Sequence, residues 1–161
     1  MNTDEFLAER RKKSDERLAK FRAVLRSEIP PKERKEVLGD HTCIYAVGSG
    51  GRGELSKRSD LDVFQVTTGV VKRINEVRLQ TAMLRAMRKV KFPDPSNDAS
   101  FVRLHAAQTL IERLGEPADD AENTFTVRML FDRANTALVP NQVPSARQHR
   151  PREAYWKNSA G

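Results

Sequence analysis

Four glycines fall within six residues, Gly48-Ser49-Gly50-Gly51-Arg52-Gly53, between two short runs of strand-forming residues. Upstream, Thr42 to Val47 has the β-branched and aromatic profile of a buried strand. Downstream, Leu61 to Thr67 alternates Leu61, Val63 and Gln65 with Asp62, Phe64 and Val66, which predicts a second strand. The middle of the chain is therefore a strand, a glycine-rich turn, a spacer and another strand. Any fold for this sequence has to be built around that unit.

The same stretch carries the residues with chemistry. On a strand, Asp60 and Asp62 point to one face with Cα atoms ~6.5 Å apart. That spacing lets both carboxylates bind one divalent cation, or share a pair of cations about 4 Å apart. Like charges on one strand face repel each other, so a cation is a physical reason for tolerating them. Mg²⁺, with Mn²⁺ as the alternative, prefers carboxylate and phosphate oxygens. A strand that ends in Gly48-Ser49 lets backbone amides and a hydroxyl approach a triphosphate closely. Together these parts suit a metal–nucleotide complex with its α-phosphate open to in-line attack.

The flanks read as helical. Residues 3–28 form a long predicted helix, capped by Thr3, with Asp4 and Glu5 in its positive first turn and Leu18, Phe21, Val24 and Leu25 at helical spacing. The cationic run Arg10 to Lys13 reads as a solvated face of that helix. Pro30-Pro31 ends it, a short helix follows through Leu38, and Gly39-Asp40 marks a turn. Residues 70–90 predict a helix with Val70, Ile74, Val77, Leu84 and Met87 toward the core. Its seven Lys or Arg residues over 72–91 lie outward, where they could also meet nucleic-acid phosphates. A proline-rich loop at 93–98, a third strand over Phe101 to Leu104, a short helix from Ala106 to Leu114 and a helix from Asp119 to Phe131 complete the pattern.

Composition excludes several classes. No window approaches the ~18 apolar residues of a membrane span, and no apolar leader follows Met1. The single cysteine, Cys43, cannot form an internal disulfide, which points to a reducing cytoplasm. Three histidines and one cysteine make no zinc set. The net charge of +7 resides mostly in the last segment: residues 133–161 hold five basic side chains and one acidic. Residues 1–40 and 41–132 are nearly balanced. The expected organisation is an N-terminal helical segment (1–40), a core (41–132) and a basic tail (133–161) without regular structure.

The run Gly48-Ser49-Gly50-Gly51-Arg52-Gly53-Glu54-Leu55, through Ser59-Asp60-Leu61-Asp62, resembles the signature of the DNA polymerase beta-type nucleotidyltransferase superfamily. It is most similar to the nucleotidyltransferase domain of bacterial signal-protein uridylyltransferases. Weaker similarity runs through Asn75 to Lys91, Pro95 to Asp98 and Glu122 to Leu130. The resemblance implies an α/β (α+β) fold, a small mixed β-sheet with flanking helices. It implies that Asp60 and Asp62 bind Mg²⁺ and that Gly48 and Ser49 hold the β- and γ-phosphates. Arg52 would support the phosphates or the turn, and Glu54 would brace the local structure. The implied reaction is transfer of NMP from an NTP to a hydroxyl on a protein, RNA or small molecule, with pyrophosphate released.

Two features depart from that pattern. The family's third carboxylate, on a neighbouring strand, has no counterpart within Phe101 to Leu104, and Asp98 lies just before it. After Phe131 the chain becomes rich in Arg and Pro where relatives continue helically, which leads to the expectation of a truncated or altered C-terminus. Other readings are a non-catalytic regulatory or partner-binding module of the same fold and a basic nucleic-acid binder. A hydrolase using Ser49 with His41 or His105 lacks an elbow sequence around the serine.

Overall fold

The computed structural model describes residues 2–39, 41–95, 102–113, 117 and 136–139. Helix α1 spans Thr3–Glu28. Its cap is Asn2, one residue earlier than expected. The Asn2 side chain accepts from the Asp4 amide at 3.4 Å, and the Asn2 amide donates to the Glu5 carboxylate at 3.0 Å. Asn2 is extended, and so takes the half-in position that a cap requires, while Thr3 is already helical. Ile29 leaves the helix ahead of Pro30, a residue that disfavours helical backbone before it. Helix α2 (Arg34–Leu38) closes on Gly39.

The sheet follows. Strand β1 (Thr42–Ala46) leads into a single helical turn, α3 (Gly48–Gly51), and strand β2 is Val63–Thr67. Helix α4 covers Arg73–Val90, then come β3 (Leu104–Ala106), α5 (Ala107–Glu112) and β4 (Thr136–Val139). The strand order is β3-β2-β1-β4. Strand β1 runs antiparallel to β2 and to β4, while β2 and β3 are parallel, so the sheet is mixed. This is an α+β fold with a long N-terminal helix.

One sheet face carries the main core. Leu18, Phe21 and Leu25 of α1 and Leu79, Met83 and Met87 of α4 pack over Ile44 and Val63. Residues 3–38 thus share one core with the sheet. The other face carries a smaller cluster, Val47 and Phe64 with Tyr45, Val66 and Leu110. Burial pushes the Tyr45 phenol up to about 12. Cys43 is buried, as a small apolar residue would be.

Several expectations are corrected. Val70 lies ahead of α4, which begins at Arg73 and not at residue 70, and is fully exposed; on the helix Ile74 and Val77 are 56 % and 42 % exposed. Met87 is buried as expected and Leu84 is partly buried against the core; the rest of the buried stripe is Leu79, Ala82, Met83, Ala86 and Val90, and its two alanines let the helix pack closely on α1. The glycine-rich segment opens with a helical turn rather than a plain loop. Strand β2 starts at Val63, two residues later than expected, and β3 begins at Leu104. The segment after Arg133, expected to lack structure, supplies β4, and Leu138 is wholly buried in the core. It pairs with an edge of β1 that would otherwise be open. The expected helix over 119–131, Asp98, and the rest of the basic tail lie outside the described residues. Among the described residues, no helix is long and apolar enough to cross a membrane.

Candidate functional site

The β1–β2 ladder continues one step past Ala46 and Val63, where the Val47 amide donates to the Asp62 carbonyl at 3.0 Å. Position 48 is thereby brought against position 62. Gly48 has φ +55°, and a Cβ there would lie 2.8 Å from Asp62 Oδ2. The absence of a side chain at position 48 is what lets the turn and the carboxylate meet. Gly50 has a similar reason: a Cβ would come within 3.2 Å of Leu61 and 3.4 Å of Ala46. Leu61 is buried between the two acids.

The acids stand just before β2 rather than within the strand. Asp62 is half-buried and Asp60 is exposed. Burial, and then the charge of Asp60, raises the Asp62 carboxyl above its ordinary range. The charge of Asp60 therefore reaches Asp62, although neither acid lies within the strand on which the spacing argument placed them. Ser49 is partly exposed, and its carbonyl accepts from the Glu54 amide at 2.8 Å. Helix geometry gives the amides at the start of α3 no acceptor within the turn. The Arg52 Nε donates to Glu54 Oε2 at 2.9 Å, so arginine and glutamate brace each other across the turn.

The spacer from Arg52 to Ser59 is held by α1. Arg10 Nε donates to the Glu54 carbonyl at 3.0 Å, and the Leu55 amide donates to the buried Ser14 Oγ at 3.3 Å. Arg17 donates to the carbonyls of Ser56, Ser59 (3.3 Å) and Lys91 (2.9 Å), with its guanidinium 3.8 Å from the centre of the Phe92 ring. The sequence reading missed these three residues and gave Arg10 to a solvated face. Ser14 did carry a signal: it continues the buried stripe of Leu18, Phe21 and Leu25 as a polar residue.

Strand β3, beside β2, presents Leu104, His105 and Ala106, so no acid stands at the neighbouring strand. Among the described residues, no three His, Cys, Asp or Glu side chains are grouped to hold a metal. His105 packs against Phe64, with ring centres 5.1 Å apart. His41 lies at the far end of β1 from Ser49, roughly 25 Å along the chain by strand rise, so these two make no nucleophile–base pair. Comparison with protein-family models, with curated proteins and with solved structures finds no match to this chain.

Proposed function

We propose that the chain is a Mg²⁺-dependent nucleotidyltransferase that moves NMP from an NTP to a hydroxyl acceptor, a protein, an RNA or a small molecule, and releases pyrophosphate. The observation that carries this reading is the bare Cα of Gly48 set against the half-buried carboxylate of Asp62. The residues fit the cation. Two carboxylates of the hard-oxygen type that Mg²⁺ or Mn²⁺ prefers repel one another here, and Asp62 is held in a partly dry setting that raises its proton affinity. Asp60 and Asp62 would hold the ion, which when bound supplies charge neutralisation at the α-phosphate and acidifies the attacking hydroxyl.

The chain's own groups account for binding and orientation. The amides at the start of α3 and the Ser49 hydroxyl would hold the β- and γ-phosphates, with no side chain at Gly48 to keep them away. Arg52, braced by Glu54, adds positive charge at the rim of the turn. The acceptor oxygen forms a bond to the α-phosphorus, the bond to the leaving pyrophosphate oxygen breaks, and the acceptor's proton passes to solvent water. A cytoplasmic setting suits the lone Cys43.

A second reading is favoured by the side chains of β3. With Leu104, His105 and Ala106 beside β2, the chain would be a module that binds nucleotide without turnover. One experiment separates the two: thermal stability with each NTP and Mg²⁺, for wild type and Asp60→Asn/Asp62→Asn, followed by pyrophosphate release with the stabilising NTP. A ligand at 100 times its Kd adds about 2.7 kcal/mol. The first reading expects a shift in wild type alone and pyrophosphate release. A shift without release supports the second, and no shift in a cooperatively folded protein removes both.

A further inference from the structure

A groove of about 790 Å³ runs between the N-terminal half of α1, the loop at 55–57 and the end of α4. Positions 6 to 20 of α1 line it over roughly 21 Å of helix. Leu55 and Val90, both buried, make its apolar floor, and the half-exposed Phe6 adds a further apolar side chain. Phe6 is 47 % exposed and Leu7 beside it 55 %, at a helix end that lies outside the core.

The rim is cationic. Lys20, Lys57 and Lys91 are exposed along it. Arg10, Lys13 and Arg17 also line the groove but are engaged, with the Glu54 carbonyl, with Glu9 and with the loop carbonyls respectively. Among the described residues, Glu9 and Glu16 are the acids of the lining, so six cations face two carboxylates there.

Lys91 supplies an independent observation. It is the left-handed residue that ends α4, with φ +61°, and the only non-glycine at positive φ among the described residues. Glycine takes that position without steric cost. A lysine there keeps on the groove a charged side chain that a glycine would not supply.

We infer that this groove binds an acidic, amphipathic segment of a partner protein, with its carboxylates on the lysine rim and its apolar side chains on the floor. A nucleic acid fits less well, because its bases would find a single aromatic ring, Phe6, to stack on. The groove contains none of Gly48, Ser49, Asp60 or Asp62, so the inference stands apart from the nucleotide reading.

The test is selection of random displayed peptides of roughly 16 residues, about four helical turns, on the full chain. The expected winners combine Asp or Glu with Leu, Ile or Phe at i, i+3 and i+4. In fluorescence anisotropy, an enriched peptide should bind Lys57→Glu/Lys91→Glu at least about tenfold more weakly, while the melting curve of that variant stays that of wild type. Lys91→Gly should weaken binding and yet raise Tm, a pairing that a structural role for the lysine would not give. No enrichment, enrichment without acidic bias, affinity indifferent to the charge reversal, or a lower Tm for Lys91→Gly would each overturn the inference. So would a single-stranded RNA that displaces the peptide and depends on the same lysines more strongly, which would assign the groove to nucleic acid.

Discussion

Gly48 meets Asp62 without a side chain of its own, because a Cβ at position 48 would fall 2.8 Å from Asp62 Oδ2. Alanine there would meet both this contact and the strain of φ +55°, the left-handed region that L side chains rarely adopt. Gly48→Ala should therefore destabilise the fold by about 1–3 kcal/mol in a denaturant titration. Part of that cost depends on the carboxylate. In an Asp62→Ala background the same substitution should cost less, by about 0.5 kcal/mol or more. Equal costs in the two backgrounds would show that the two residues do not constrain each other.

Asp62 should also set a pH dependence. Burial, and then the Asp60 charge, holds its carboxyl above the ordinary range, so the folded chain binds this proton more tightly than the unfolded chain. The contribution of Asp62 to stability is fully present below the ordinary carboxylate pKa. It is lost as pH rises through the raised value. Asp62→Asn should accordingly raise Tm at about pH 7 and leave it nearly unchanged at about pH 3, where both states carry the proton. Scanning calorimetry across that range checks it, and an asparagine variant less stable than wild type at neutral pH would contradict the assigned cause.

The spacer between turn and acids should loosen when α1 loses its hold. Ser14→Ala leaves the Leu55 amide buried without its acceptor and should cost about 1–3 kcal/mol. Arg17→Lys keeps the charge but gives up the planar fork that reaches Ser56, Ser59 and Lys91 together. Amide hydrogen exchange should then speed up over residues 55–59 more than in β1. Uniform acceleration across the sheet would mean that Arg17 serves the whole core and not this loop.

What could be read in the sequence follows the range of the interactions involved. Helix α1 was legible because Leu18, Phe21 and Leu25 repeat at helical spacing, and the pairing of turn with acids was legible because Gly48-Ser49 and Asp60-Leu61-Asp62 adjoin two strands. The facing of α4 was not. Its larger β-branched residues, Ile74 and Val77, stand at the exposed end, while Ala82 and Ala86 pass for neutral in any pattern until α1 is packed on them. The grip of Arg10, Ser14 and Arg17 on the loop links residues about forty positions apart, and no local periodicity records it. Strand β4 was hidden for the same reason: a four-residue strand in a Pro- and Arg-rich stretch is selected by the edge it covers.

That strand supplies the last prediction. Leu138 is wholly buried among residues of the main core, and β4 pairs with the side of β1 away from β2. Leu138→Ala should cost about 2–5 kcal/mol, as for other buried leucines, with the exact figure set by how far the site can collapse. Val77→Ala, on the exposed side of α4, serves as the comparison and should stay within about 0.5 kcal/mol. If the two substitutions cost the same in urea titrations, β4 does not close the sheet, and the outer edge of β1 is left for another chain to pair with. A large cost at Leu138 alone makes residues 136–139 part of the folding unit, so that shortening the chain ahead of them would weaken the strand that leads into Gly48.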